Sequence, residues 1–312
     1  MSELNEKVKA SIERLKAFEP RNGEGYYLAF SGGKDSVVIK ALADLAGVKY
    51  DAHYRVTSVD PPELVQFIKE KHPDVSRDVP RYKEDEKNPK LAGKPITMWN
   101  LIPKKRIPPT RLYRFCCAWL KEAGGDGRKT VTGVRWAESP ARKKNQGIAT
   151  IMSQGAQKNF REDDDFSLTK RGVVLVNDNT ESRRTVEQCY KRHKTNINPI
   201  IDWTEKDVWE FIRTENIPYC GLYDCGFKRL GCIGCPMADT KGRMLEFAVW
   251  PKYKNSYLLA FEKMLRERTA AGLSNNGRFG ETPQDVFNWW MQFDILPGQT
   301  AMDLAELEED GE

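Results

Sequence analysis

The sequence is poor in histidine, with three in 312 residues, so zinc sites built from several imidazoles have little raw material. No apolar run reaches the roughly 18 residues of a membrane-crossing helix. The first ten residues, MSELNEKVKA, are charged rather than apolar, which argues against a secretory signal and for a cytoplasmic protein. No internal repeat is visible. What the chain does have is an ordinary enzyme-like composition, 39% hydrophobic and 30% charged, and seven cysteines. In a reducing compartment these are poor material for a disulfide framework, and their clustering favours metal binding or thiol chemistry. The net charge of +5 is unevenly spread: Leu101 to Asn145 carries twelve Lys or Arg against three acids, and Ala301 to Glu312 carries six acids and no base. A local basic field suits phosphates or a nucleic acid, and equally a solvated face.

Periodicity gives the architecture. Val8, Ile12, Leu15 and Phe18 stand at helical spacing in a leading amphipathic helix. Tyr26 to Phe30 reads as a short buried strand, Val37 to Leu45 as a helix ending near Gly47, and Tyr50 to Val56 as a second strand. Pro61-Pro62-Glu63 opens a helix through Lys71, because proline is tolerated in a first turn. Alternating strands and helices predict an α/β fold with a doubly wound parallel sheet. Further along, Met98 to Ile102 and Cys116 to Ala123 read as short helices, Thr130 to Val134 as a third strand, and Val173 to Val176 and Asn198 to Ile201 as strand candidates. Residues 155 to 171 lack periodicity and read as an exposed loop. Thr204 caps a helix from Glu205 to about Thr214, a cysteine-rich loop runs from Tyr219 to Pro236, and Leu245 to Arg266 and Asp285 to Phe293 are helical. The expected division is an α/β nucleotide domain over 1–215 and a Cys-rich, helical region over 216–312. Trp289-Trp290 could stack bases, but beside Phe287, Met291 and Phe293 at helical spacing they read better as core.

The most informative stretch is Phe30-Ser31-Gly32-Gly33-Lys34-Asp35-Ser36, where a strand meets a helix. Two glycines permit positive φ and close backbone approach, so successive N–H groups can face an anion while the helix N-terminus adds its positive end. Phosphate is the natural ligand, although the spacing is not that of the ordinary nucleotide triphosphatase loop. Lys34, Arg135 and Arg142 can add charge-assisted contacts to phosphate or sulfate, with Arg135 ranked above Arg142 because it follows an apparent strand end. Asp35 can orient an amide or a magnesium-bound water, or cap the helix.

The glycine string resembles the PP-loop of the ATP pyrophosphatases, the adenine nucleotide α-hydrolase superfamily. Within it, Pro109-Thr110-Arg111, Arg114-Phe115-Cys116-Cys117 with Leu120-Lys121, Thr132-Gly133-Val134-Arg135 with Glu138-Ser139 and Arg142, and Asn198-Pro199-Ile200 with Asp202-Trp203-Thr204 resemble the phosphoadenosine phosphosulfate (PAPS) reductase-like family. So do Asp207-Val208-Trp209, Leu222-Tyr223-Asp224 and Gly231-Cys232-Ile233-Gly234-Cys235-Pro236, in the family's order. The resemblance implies that Ser31, Gly32, Gly33, Lys34, Asp35, Ser36, Arg135, Glu138 and Arg142 hold an adenine nucleotide, ATP or a sulfonucleotide. Lys34, Asp35 and Arg135 would be its catalytic residues, with magnesium as a possible companion.

Cys232-Ile233-Gly234-Cys235 is a Cys-x-x-Cys pair, Cys225 lies seven residues before it, and Cys116-Cys117 sits far off in sequence. Thiolates from distant segments converging on one centre suit an iron–sulfur cluster or a structural zinc, with a thioredoxin-like redox pair ranked behind both. Cys189 and Cys220 read as buried, inert thiols. The resemblance implies a four-iron, four-sulfur cluster on Cys116, Cys117, Cys232 and Cys235. Cys117, Cys225, Cys232 and Cys235 is the alternative set, leaving one thiol for sulfur chemistry. The anion cradle and the thiolate centre are expected close together.

Reductases of this family use a catalytic cysteine in a C-terminal tail, and no cysteine follows Cys235 here, although another thiol such as Cys225 could take its place. They often show a degraded glycine loop, whereas the loop here looks like the intact ATP-splitting form, and Thr57-Ser58-Val59-Asp60-Pro61-Pro62-Glu63 replaces their Thr-Gly-rich segment. The expected activity is therefore ATP-dependent activation coupled to sulfur transfer, as in DNA phosphorothioation or RNA thiolation, with a sulfur-donor protein as a possible partner. Alternatives are a sulfonucleotide reductase, or a non-catalytic subunit that binds nucleic acid or a partner through Lys104-Lys105-Arg106 and Arg142-Lys143-Lys144.

Overall fold

The computed structural model describes residues 3–84, 89–153, 157–158, 160–170, 172–177, 179, 182, 186, 194–274 and 280–292. Cys189, Phe293 and the acidic segment 301–312 lie outside the described residues. Packing divides the chain into two compact units that interleave in sequence: Met1–Tyr54, Pro62–Asp78 and Gly124–Leu230 form the first, and Arg55–Pro61, Val79–Ala123 and Gly231–Glu312 the second. No helix among the described residues is long and apolar enough to cross a membrane.

The first unit holds an eight-stranded sheet: β1 (Tyr26–Ala29), β2 (Tyr50–Arg55), β3 (Ser76–Asp78), β4 (Lys129–Val131), β5 (Ala149–Ile151), β6 (Phe166–Thr169), β7 (Gly172–Leu175) and β8 (Thr195–Ile197). Their order is β3-β2-β1-β4-β8-β5-β7-β6. β1 pairs in parallel with β2 and β4, and β4 in parallel with β8. β5, β7 and β6 extend the sheet by antiparallel pairing. Of the parallel strands only β1, Tyr-Tyr-Leu-Ala, is an apolar run, while β2, β4 and β8 include polar residues; Tyr26, Tyr27, Leu28, Val131 and Ile197 are all buried, as in strands covered on both faces. The chain order reverses at β1, which has β2 on one side and β4 on the other. Ligands of such sheets collect outside the carboxyl ends of the strands at that switch point.

Helices α1 (Glu3–Ala17), α2 (Lys34–Ala46), α3 (Pro62–Lys71), α5 (Pro140–Asn145) and α6 (Glu205–Thr214) belong to the first unit, and α4 (Met98–Lys105) to the second. The leading helix does more than cover apolar surface. Arg14 grips Asp202 with two bonds of 2.9 Å and the Pro199 carbonyl with a third. Ser11 bonds the Pro199 carbonyl and receives the Trp203 indole N–H, while Lys7 pairs with Asp207 at 2.7 Å. α1 thereby fixes the segment that starts α6, whose cap is reciprocal: Thr204 Oγ1 accepts from the Asp207 amide, and Asp207 accepts from the Thr204 amide.

Three expectations need correction. Asn198 to Ile201 is a turn rather than a strand, since β8 ends at Ile197 and the Ile201 amide folds back to the Asn198 carbonyl. Pro199 has no amide to offer a ladder. The segment 155–171 is not all loop: Asp163 Oδ1 caps the amides of Asp165 and Phe166 and launches β6, which pairs with β7 from Phe166↔Leu175 to Thr169↔Gly172. Four residues are too few for a reliable period-2 signal. Finally, Leu245 to Arg266 is not one helix. α7 (Thr240–Val249) stops at Trp250 and α8 (Pro251–Ala270) starts on Pro251, where a proline suits a first turn but not a helix interior.

In the second unit α7, α8 and α9 (Pro283–Gln292) enclose an aromatic core. Trp290 lies 4.7 Å from Tyr257 and 5.5 Å from Phe261, ring centre to ring centre. Trp290 is 1% exposed and bonds the Pro109 carbonyl, so it is core and unavailable to a base.

One ion cluster of the first unit gives a pH test. Asp51 on β2 takes both Arg128 terminal nitrogens and touches His53, and Arg128 followed by His53 holds its carboxyl down at about 2 against an ordinary 3.8. A carboxylate depressed in the folded state stabilises above its unfolded pKa and ceases to do so as pH falls through the folded value. Denaturant titrations of wild type and Asp51→Asn should show a stability gap that is constant from pH 7 to 5 and closes between about 4 and 2. A gap unchanged down to pH 2 would refute this assignment.

Candidate functional site

The glycine loop leaves β1 with Phe30 donating to the His53 carbonyl at 2.9 Å, the last ladder contact before the turn. Gly32 then takes φ +75°, and a Cβ there would meet the Ile68 and Leu64 side chains of α3 at 2.8 Å. Gly33 behaves differently from expectation. Its φ is −75° with ψ 160°, so it needs no left-handed freedom; it is the N-cap of α2, and a Cβ would point at Ser31 Oγ and the Tyr223 hydroxyl, 3.4 and 3.5 Å away. Its carbonyl accepts the Ser36 and Val37 amides and Ser36 Oγ. Ser36 is buried and braces the turn from within, whereas Ser31 is exposed and gives the Gly33 amide a 3.4 Å contact. The Lys34 amide donates to the Tyr223 hydroxyl at 2.9 Å. One N–H of the cradle is thus occupied by a phenol oxygen, and a phosphate oxygen at that amide must take Tyr223's place. Burial, with the carboxylates of Asp35 and Glu205 nearby, raises the phenol pKa and keeps it protonated.

Charge is arranged as a neutral quartet. Arg135, at the carboxyl side of β4 and 3% exposed, gives Nε to Asp35 Oδ1 at 2.7 Å and Nη2 to Glu205 at 2.9 Å. Burial works against its charge, but Asp35 and Glu205 outweigh it and raise its pKa. Lys34 Nζ lies 3.3 Å from Glu205 and 3.2 Å from the Lys228 carbonyl. Asp35 is therefore an ion-pair partner of Arg135 in this structure. Glu138 links the two arginines, accepting the Arg135 amide at 3.2 Å and pairing with Arg142 at 3.2 Å. Ser31 to Ser36, Arg135, Glu138 and Arg142 thus share one neighbourhood at the switch point. Sequence reasoning missed Glu205 and Tyr223. Glu205 reads as a first-turn helix residue, and Tyr223 sits in a family-like string that carries no hint of its reach to Lys34.

The second unit contains Cys116, Cys117, Cys232 and Cys235, and the first contains Cys225, exposed, and Cys220, buried. Cys116 hydrogen-bonds Cys117, and Cys232 and Cys235 bear on it electrostatically, so the four thiols of the first expected set are gathered in one locality. The Cys116 proton favours the thiolate of Cys117, which Lys121 and Arg114 also stabilise, and its pKa falls while that of Cys116 rises. Burial pushes Cys232 up to about 12 against the pull of Lys121. Lys121 is correspondingly raised by Cys232 against burial, with Asp60 and Cys235 adding to the effect. Among the described residues no three His, Cys, Asp or Glu side chains stand ready to hold a metal ion.

The Cys-Ile-Gly-Cys turn is firmly held. Ile233 donates to the Val59 carbonyl at 2.7 Å, Gly234 to Glu246 Oε2 at 2.7 Å, and Tyr257 to the Ile233 carbonyl at 2.9 Å. Gly234 has φ +73°, and a Cβ would lie 2.6 Å from the Phe247 ring and 2.9 Å from Trp290. Behind the turn Arg243 is 3% exposed, with its guanidinium 4.1 Å above the Trp290 ring and Nη1 on the Trp290 carbonyl. Its Nε and Nη2 have no partner. Burial lowers its pKa to about 10 despite Tyr257, Cys235 and Glu246 nearby. Buried, unanswered guanidinium donors beside a thiol cluster suit a thiolate-bound, net-negative centre.

A mixed sheet with a parallel β2-β1-β4-β8 half, a helix-capping glycine loop and a buried arginine at its switch point define an α/β protein of the adenine nucleotide α-hydrolase type. The chain belongs to the phosphoadenosine phosphosulfate reductase domain family, which it matches over residues 25–238. Two uncharacterized proteins of Methanocaldococcus jannaschii are 27% and 26% identical to it over 81% and 80% of the chain. They share 52% and 43% of their own length with it, so the chain spans about half the length of these relatives. An adenosine 5'-phosphosulfate reductase of Staphylococcus epidermidis is 23% identical over 76% of the chain and 82% of that protein. The phosphoadenylyl-sulfate reductase of Candida auris, solved with phosphate, superposes with a TM-score of 0.39 at 14% identity, covering 74% of this chain and 96% of that one.

Two substitutions test the loop. Gly33→Val keeps an allowed backbone but projects over the cradle, so adenine-nucleotide binding by calorimetry should be lost while thermal stability stays near wild type; retained binding would refute the geometry. Glu205→Gln frees Lys34 and Arg135 from a half-exposed ion pair worth about 0.2–1 kcal/mol. It should tighten nucleotide binding by about 1.4- to fivefold, and weaker binding would mean that Glu205 holds the ligand.

Proposed function

We propose that the chain is an enzyme that binds ATP at the Ser31–Ser36 loop and activates an acceptor oxygen for sulfur transfer. The observation that carries this reading is the intact cradle: Gly32 at φ +75°, Gly33 as the N-cap of α2, and Lys34 and Arg135 converging beside it. The acceptor oxygen attacks the α-phosphorus of ATP, the bond to the bridging oxygen breaks, and pyrophosphate leaves with the electron pair. A sulfur nucleophile then attacks the activated acceptor carbon or phosphorus and expels AMP. The chain's own part is electrostatic. The amides of Gly33 and Lys34 and the Lys34 ammonium stabilise charge growing on the leaving pyrophosphate, and Arg135 anchors the phosphates once Glu205 gives way. Asp35 keeps the guanidinium plane fixed through its 2.7 Å bond.

Cys116, Cys117, Cys232 and Cys235 would hold a four-iron, four-sulfur cluster, for which thiolate donors and the unanswered Arg243 hydrogens are suited. Bound there, the cluster supplies sulfur or electrons. Cys117, Cys225, Cys232 and Cys235 is the competing set; the shared electrostatics of Cys116 with Cys117, Cys232 and Cys235 support the first. A sulfonucleotide reductase is the second reading, favoured by the similarity to the Staphylococcus epidermidis enzyme along 82% of that enzyme's length.

Parallel assays on anaerobically purified protein decide between them. ATP with a nucleic-acid acceptor should give AMP and pyrophosphate, and Lys34→Met should slow that release about 10²–10³-fold, as loss of a transition-state donor does. Sulfite release from a sulfonucleotide, with indifference to ATP, would establish the reductase instead. Iron and acid-labile sulfide near four each per chain are expected; stoichiometric zinc without sulfide would reject the cluster.

A further inference from the structure

The least comfortable group in the second unit is Arg243. A guanidinium has five N–H donors and no way to shed its charge cheaply at neutral pH. Here it is 3% exposed, one terminal nitrogen is spent on the Trp290 carbonyl at 2.9 Å, and the face is covered by the Trp290 ring at 4.1 Å. Ring stacking answers part of the charge but none of the in-plane hydrogens. Nε and Nη2 remain buried and unanswered. The same Trp290 ring touches the place where a Gly234 Cβ would be, 2.9 Å away, so Arg243 and the Cys-x-x-Cys turn share a wall. Glu246, the carboxylate nearest in sequence, is committed to the Gly234 amide at 2.7 Å. The titratable groups facing the guanidinium are the Tyr257 phenol, which donates to the Ile233 carbonyl, the Cys235 sulfur and the Glu246 carboxylate, with Arg111 as a second cation.

Neutral thiols would leave this arrangement with a buried cation and nothing to bind. Thiolates carrying a metal would give it a diffuse negative acceptor. We propose that Arg243 is a positioning residue for the thiolate centre, donating Nε–H and Nη2–H to sulfur on its Cys235 side and holding that centre's negative charge. This rests on the thiolate-centre reading above and adds a role that no cysteine pattern discloses. Because a positive charge and hydrogen bonds at sulfur favour the more negative oxidation state, Arg243 raises the reduction potential of an iron centre.

The test compares wild type, Arg243→Gln and Arg243→Lys, each full-length, purified without oxygen, and measured both metal-loaded and stripped by a chelator. In the loaded state Arg243→Gln should release metal to the chelator at least about tenfold faster, the usual scale for an outer-shell partner. Its one-electron midpoint should move negative by a shift equivalent to about tenfold in the reduction equilibrium, or about 59 mV. In the stripped state the same variant should melt at or above the wild-type temperature, because an unanswered buried charge has been removed. Arg243→Lys, which keeps charge but not the fork, should fall between and serves if the glutamine variant folds poorly. A purely structural arginine, or one satisfied by ordered water, would lower melting equally in both states and leave release and potential unchanged, and that result overturns the proposal. The failures separate: wild type that takes up neither iron nor zinc removes the thiolate centre and this inference with it, whereas a loaded wild type with an indifferent Arg243→Gln removes this inference alone. If zinc is the metal, release kinetics and the crossing of melting temperatures decide without the potential.

Discussion

A helix that begins directly at the end of a buried parallel strand leaves its first amides without helical acceptors, and those amides must be answered by something. In this protein the constraint falls on Gly33 and Lys34. Gly32 turns the chain in the left-handed region against α3, and Gly33 caps α2. The loop answers those amides with Ser31 Oγ at 3.4 Å and the Tyr223 hydroxyl at 2.9 Å. A phosphate would answer the same groups with full negative charge, which is the physical basis of the proposal that this turn holds a nucleotide.

The surroundings of the loop follow from the cost of buried charge. Arg135 can be buried because Asp35 and Glu205 accept from it, and Lys34 because Glu205 and the Lys228 carbonyl do. Glu205 in turn stands where it does because α1 pins the start of α6 through Arg14, Ser11 and Lys7. A helix at the beginning of the chain therefore sets the charge balance at a loop far from it in sequence. The second unit repeats the theme with opposite sign: thiols that gain from cations nearby, and a buried guanidinium still short of acceptors.

Much of this was legible in the residues. The glycine string, the strand before it and the helix after it carry their own backbone logic, and the order of the family-like segments places the chain in the PAPS reductase domain family over residues 25–238. Among the parallel strands β1 announced itself as an apolar run, Tyr26 to Ala29. Legibility failed where the signal was short or broken: the four residues of β6, the turn at Asn198-Pro199, and the helix boundary at Trp250-Pro251.

The sequence by itself determined the loop, the strand–helix alternation and which residue types could meet a nucleotide or a metal, because those depend on local φ preferences, periodicity and side-chain chemistry. Only the tertiary structure decided who answers whom. Glu205 and Tyr223 reach the loop, Gly33 proves conformationally ordinary while Gly32 does not, and Arg243 is buried with donors to spare. Pairings of that kind join positions up to 200 residues apart. They are set by packing and by the demand that buried polar groups find partners, neither of which leaves a mark at any single position of the chain.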